Sequence, residues 1–156
     1  MKQLFILLFT ISLVSCGTSK TIRTSKKVIK GEWTLNSITY SQGGEYNSTL
    51  FNDASSECFE GSTWKFIPNN NTGVYTLSDG NCSIDERHFI FAIKEVNEET
   101  GLYDFTLKPT DEKYNSVTNH GYRLKLSSLT KTTMQWQQFV SVAGSSLTMD
   151  MNFIKQ

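Results

Sequence analysis

The sequence predicts an all-β domain, an eight-stranded antiparallel up-and-down barrel over residues 31–156, set behind a cleavable leader. Three observations carry the prediction. From Gly31 onward apolar and polar residues alternate with a period of two, the signature of half-buried strands. The same region has no convincing helical periodicity and no visible internal repeat. Turn residues break the alternation so often that most connections are short, and short links favour antiparallel neighbours. A length of 156 residues fits one domain.

The first strand is expected over Gly31–Tyr40, with Trp33 and Leu35 on one face. A long loop, Ser41 to Ser62, follows through Gly43-Gly44 and Asn52-Asp53. Thr63–Ile67 places Trp64 and Phe66 together. Pro68-Asn69-Asn70-Asn71-Thr72-Gly73 then turns the chain into Val74–Ser78, because Asn and Gly accept positive φ. After Asp79-Gly80-Asn81, Arg87–Val96 aligns Phe89, Phe91 and Ile93. Asn97-Glu98-Glu99-Thr100-Gly101 leads into Leu102–Lys108, where Tyr103, Phe105 and Leu107 share a face. A polar loop, Pro109 to Asn119, precedes a strand carrying Tyr122, Leu124 and Leu126. Thr132–Val142 alternates through Met134, Trp136, Gln138 and Val140, and Ala143-Gly144-Ser145 closes a hairpin into Leu147, Met149, Met151 and Phe153. Closing eight such strands into a barrel removes the exposed edges, and the interior then holds side chains or one small ligand. An open sandwich is the competing arrangement; its immunoglobulin form is disfavoured because its paired cysteines are spaced far more widely.

Ahead of this domain, Met1-Lys2-Gln3 supplies one positive charge and Leu4–Val14 is a nearly unbroken apolar run. The run is shorter than the roughly 20 apolar residues that span a bilayer, and it has the length of a signal-peptide core. It ends in Leu13-Val14-Ser15-Cys16-Gly17, which resembles the lipobox of bacterial lipoproteins. That resemblance implies cleavage after Ser15, a diacylglycerol thioether on Cys16 and acylation of the new amine, for instance by palmitate. An ordinary signal peptide with Cys16 as a bystander is the alternative. Surface-exposed lipoproteins of some gut and marine bacteria have a run of acids after the lipidated Cys; none follows Cys16, so the lipoprotein resemblance implies an outer-membrane location facing the periplasm.

The chain has three cysteines, and an odd number in an exported protein needs a reason. With Cys16 lipidated, Cys58 and Cys82 remain as a pair in a compartment where a disulfide persists. The formal charge is zero but unevenly spread. Lys20, Arg23, Lys26, Lys27 and Lys30 meet no acid between Gly17 and Lys30, whereas fifteen acids face nine bases from Gly31 onward. Rich in Ser and Thr, residues 16–30 read as a flexible basic tether, either held near an anionic lipid surface or solvated. The acidic body argues against a nucleic-acid partner.

Gly31-Glu32-Trp33 resembles the Gly-x-Trp signature with which lipocalins open their first strand, the Trp plugging the closed end of the barrel. Cys58-Phe59-Glu60-Gly61-Ser62-Thr63-Trp64-Lys65-Phe66, Cys82 and Gly121-Tyr122-Arg123-Leu124 are similar to lipocalin-like lipoproteins of Bacteroidetes. The likeness runs from Gly31 to Phe153 and implies a lipocalin-type barrel without implying an activity. One departure is that no arginine follows the last strand to stack on Trp33; Lys155 is the nearest cation, and Arg123 lies a strand pair earlier.

Reactive groups are sparse. Asp85-Glu86, Glu98-Glu99 and Asp111-Glu112 sit in turns or at strand starts, where adjacent residues point to opposite faces and do not converge as glycosidase carboxylates must. His88 and His120 make no zinc-type spacing with Cys58 and Cys82, so no metal and no cofactor is expected. A Cys-His nucleophile needs a free thiol, and Gly43-Gly44 lacks the setting of a phosphate loop. No catalytic residue is assigned. Tyr75, Phe89, Phe91, Phe105, Leu124, Met134, Trp136, Met149 and Met151 either line a cavity for an apolar ligand, with Gln138 or Arg123 as polar groups, or fill the barrel. The leading expectation is therefore a non-enzymatic, membrane-anchored protein binding a small hydrophobic molecule or lipid. The alternative is a filled barrel whose Ser41–Ser62 loop, with Tyr46 and Phe51, binds an envelope protein.

Overall fold

The computed structural model describes residues 20–156 except 45, 47, 79, 80, 98 and 143. The predicted leader (1–15) and Cys16 lie outside the described residues. Strand β1 (Gly31–Tyr40) is paired on both sides, and this closes the sheet. It runs antiparallel to β10 (Ser145–Lys155), Trp33 opposite Lys155 and Tyr40 opposite Met149, and antiparallel to β4 (Thr63–Ile67), Trp33 opposite Trp64. Between these run β5 (Thr72–Thr76), β6 (Glu86–Val96), β7 (Tyr103–Thr110), β8 (Tyr122–Leu129) and β9 (Thr133–Val142). Each pairs antiparallel with its neighbours in the order β1-β10-β9-β8-β7-β6-β5-β4, a closed eight-stranded barrel. In the β1–β4 connection, β2 (Thr49–Leu50) and β3 (Ala54–Ser55) form a small separate hairpin, followed by the single-turn helix α2 (Ser56–Phe59).

Alternation places the side chains as expected: Tyr103, Phe105 and Leu107 of β7 are buried while Asp104, Thr106 and Lys108 are not. Register shifts between Leu35 and Ser37, Ile93 and Glu95, and Leu126 and Ser128 bend the strands around the barrel. The interior is solid. Trp33, Trp64 and Trp136 are 0% exposed. Trp64 stacks on Tyr75 at 4.4 Å between ring centres, meets Trp136 and Phe153 edge-on at 5.4 and 5.7 Å, and lies 5.6 Å from Phe89. Gly73 leaves space that the Phe89 ring fills, so a side chain there would collide with it. The Trp64 indole N–H donates to the Ser62 hydroxyl at 2.9 Å, which in turn donates to the Phe59 carbonyl.

One end of the barrel is closed by helix α1 (Lys20–Ile29), and here the expectation of a flexible tether is corrected. Ile22, Ser25, Lys26 and Ile29 recur at helical spacing and turn toward the barrel, with Ser25 and Ile29 buried. The Ser25 hydroxyl donates to the Tyr103 hydroxyl at 3.1 Å, Lys26 Nζ to Asn71 Oδ1 at 2.7 Å, and the Trp33 indole to the Ile29 carbonyl at 2.8 Å. Such a short, polar helix is stabilised by what it packs on rather than by propensity. Gly31, at φ +113°, turns the chain from helix into β1. Lys155 of the last strand closes over this end: its ammonium lies 5.0 Å from the Trp33 ring centre and donates to the Val28 carbonyl at 2.6 Å.

Removing the central ring tests the packing. Trp64→Ala should destabilise the domain by about 3–5 kcal/mol in urea unfolding; a loss below about 1 kcal/mol would mean that the interior is not packed around it.

Candidate functional site

At the opposite end, the β1–β4 connection folds into the barrel mouth. In the β2–β3 hairpin, Asp53 N–H donates to the Leu50 carbonyl at 2.9 Å, and Phe51 and Asn52 have φ of 54° and 52°. Both are central residues of a tight turn inside the three-residue loop between the paired Leu50 and Ala54. Bulky residues seldom adopt positive φ. Phe51 does so at 3% exposure, its ring edge-on to Phe59, Trp64 and Tyr122. Helix α2 brings Phe59 to the same place, against Trp64 and Tyr75. Cys58 of α2 is bonded to Cys82, 24 residues on, with Cα atoms 5.8 Å apart, which staples the plug to the β5–β6 connection. A loop of that size contributes roughly 3–4 kcal/mol in the chain-entropy description.

Asp53 latches the hairpin to the barrel wall. Its Oδ2 accepts from Arg87 Nε at 2.6 Å and from the Tyr75 hydroxyl at 2.8 Å. Arg87 Nη1 also donates to the carbonyls of Ser83 at 2.9 Å and Asp85 at 2.7 Å, which orients the guanidinium. Burial first, and then the Asp53 charge and hydrogen bond, push the Tyr75 phenol well above the usual range, with Arg87 opposing. Burial and Asp53 push Tyr122 up as well.

Beside this latch lies a cleft of about 710 Å³. Phe51, Tyr75, Tyr122 and Pro109 give it an apolar side, and Glu86, Arg87, His88, Thr110, Asp111, Glu112 and Lys113 a polar one. Its volume lies within the range of about 300–1,000 Å³ typical of small-molecule sites. The outer wall is the loop after β7, organised by Asp111. That carboxylate accepts from the backbone N–H groups of Asn115 at 2.7 Å and Lys113 at 2.9 Å and from the Asn115 amide at 3.1 Å, bonds that hold its pKa below the usual range. Tyr114, at φ 61°, rests its ring edge-on to His88 at 5.4 Å. His88 and Thr110 are opposite each other in the β6–β7 pairing. His88 Nε2 is 3.2 Å from Glu86, whereas His88 Nδ1 and Thr110 Oγ1 are buried without a hydrogen-bond partner among the described residues. Buried polar atoms are rarely left so, and both residues line the cleft.

No family model matches this chain, and no curated protein matches it. A solved structure described as a lipocalin-like protein from Bacteroides uniformis aligns with a TM-score of 0.50 at 10% identity, covering 83% of this chain and 99% of that one. The fold is lipocalin-like. At such identity the likeness is one of fold.

Within the lipocalin-like barrel, Gly31 and Trp33 sit at the end capped by α1, and Cys58 and Cys82 are bonded to each other. The residues expected to line or fill the interior fill it. Phe89, Phe91, Phe105, Leu124, Met134, Trp136, Met149 and Met151 are at most 4% exposed and belong to one core cluster, and of the nine only Tyr75 lines the mouth cleft. Gln138 keeps its carbonyl oxygen buried without a partner among the described residues, while Arg123 lies outside the barrel, paired with Asp104 at 2.9 Å. Sequence reasoning missed Asp53, Arg87, His88 and Thr110 as a group, since they come from three separate segments. The one local signal was Asn52-Asp53, a turn in the middle of the long loop.

The latch has a pH signature. A phenol whose pKa is raised on folding contributes stability that is fully present below its unfolded value of about 10 and lost as pH rises toward the folded one. Tyr75→Phe should cost about 1–3 kcal/mol at pH 7 through loss of the bond to a charged partner, and the gap from the native protein should narrow above pH 10. Urea unfolding from pH 8 to 11 checks this; a constant gap would contradict it.

Proposed function

We propose that the protein is a lipid-anchored, non-catalytic binding protein whose ligand is a small molecule with an apolar body and a polar head, held at the barrel mouth rather than inside the barrel. The filled interior beside an open cleft is the observation that carries this. Tyr122 and Pro109 offer the apolar side, and His88 Nδ1 and Thr110 Oγ1 are the polar atoms that gain most from a ligand group. Asp53, Glu86, Asp111 and Glu112 outnumber Arg87 and Lys113 around the cleft, which favours a head that donates hydrogen bonds or carries positive charge. The anchor is supported by Leu13-Val14-Ser15-Cys16 at the end of the apolar run, and by the Cys58–Cys82 bond, which accounts for the other two of the three cysteines. An outer-membrane, periplasm-facing location belongs to the same proposal.

A second reading keeps the anchor and the filled barrel but seats an envelope protein on the mouth loops. Val117 and Ile84, 63% and 67% exposed, favour it. Phe51 does not take part in that reading, because its ring is turned into the barrel.

Native mass spectrometry on the chain purified without detergent from a periplasmic host separates the two. Ligand binding gives a reproducible extra mass, and His88→Phe with Thr110→Val lowers its occupancy about five- to tenfold through lost hydrogen bonds. An extra mass unaffected by that double variant would overturn the mouth site, and a bare chain with a co-purifying envelope protein would favour the second reading.

A further inference from the structure

The two ends of the barrel carry opposite charge. At the mouth Glu57, Glu60, Asp85, Glu86, Asp111 and Glu112 outnumber Arg87 and Lys113 among the described residues. At the closed end the cations lie on α1 and just after it. Lys20, Arg23, Lys27 and Lys30 are exposed and recur every three or four residues, so they share the face opposite buried Ser25 and Ile29. Among the described residues none of the four is in an ion pair. Glu32 is engaged by Lys65 at 3.3 Å and Asp104 by Arg123 at 2.9 Å, and Glu99 lies beside the helix.

We propose that this end is a docking face for an anionic lipid bilayer. The basic face of α1 lies on the phosphate headgroups, and the barrel stands with its acidic mouth turned away from the membrane. The proposal rests in part on the anchor reading. Cys16 precedes Lys20 by four residues, a covalent reach of at most about 14 Å, so a lipidated Cys16 delivers α1 to the zone where headgroup charge acts. Because Lys26 and Lys155 tie the helix to the barrel, its orientation on the surface becomes the orientation of the whole domain. The acidic mouth is repelled by the same surface, which reinforces the pose.

The test uses residues 16–156 with Cys16→Ser, which carries no lipid, mixed with phosphatidylcholine vesicles with or without about one third phosphatidylglycerol. The protein should sediment with the anionic vesicles and not the neutral ones, and added salt should release it. Arg23→Gln with Lys27→Gln should lower the partition coefficient about 25-fold, about fivefold per charge, whereas Glu57→Gln at the mouth should leave it unchanged. Sedimentation with neutral vesicles, none with anionic vesicles at low salt, or an unaffected double variant would each overturn the proposal. Mass analysis of the Cys16 peptide from producing cells reads the anchor separately. An unmodified Cys16 with vesicle binding intact removes the anchor and leaves the docking face standing; an acylated Cys16 without vesicle binding removes the face.

Discussion

The Trp64 indole is where the parts of this molecule meet. Its ring stacks on Tyr75 of the wall, abuts Trp136 and Phe153 across the interior, and receives Phe51 and Phe59 from the plug. An eight-stranded barrel encloses about enough room for its own side chains or for one small ligand. With Trp64 near the middle and Trp136, Phe66 and Phe89 around it, the side chains have taken the room. The long connection then packs down onto the same ring, and what remains concave is the rim.

Both ends follow from that constraint. At the closed end, the Trp33 indole needs an acceptor and finds the Ile29 carbonyl, so the approach of the chain becomes a helix rather than a loose lead. Lys155 completes the closure from the last strand, using an ammonium over the Trp33 ring. At the mouth, the Asp53 carboxylate is shared by Tyr75 and Arg87 and fixes a hairpin whose tip residue has an uncommon backbone conformation. A bulky residue at positive φ costs on the order of 1–3 kcal/mol, which the buried ring contacts of Phe51 and the latch offset. The cleft is bounded by that latched hairpin on one side and the Asp111-organised loop on the other.

Much of the fold was legible because a strand repeats every two residues. Phe89 and Phe91, Tyr103 through Leu107, and Met149 through Phe153 announce their inner faces without help from the rest of the chain. The α1 helix was not legible: four of its ten residues are cationic, and its inward stripe rests on two isoleucines and a serine, so composition outweighed periodicity. The mouth was illegible for a different reason. Asp53 and Arg87 are joined only by the folded topology, and the positive φ of Phe51 does not follow from local residue preference. Whether the apolar inner face encloses a cavity or fills it depends on summed volume across eight strands, which a one-dimensional pattern does not carry.

The central claim is therefore a filled interior, and the methionine methyl groups report on it. Met134, Met149 and Met151 are buried inside the barrel at 2%, 1% and 0% exposure, spread over two strands. Dissolved xenon enters empty apolar cavities and shifts the methyl resonances that line them. Methyl-labelled protein under xenon pressure should show these three signals unmoved in the native chain and clearly shifted in Trp64→Ala, where the ring has been removed. Xenon-induced shifts of Met134, Met149 or Met151 in the native chain would contradict the account and return the ligand site to the barrel interior.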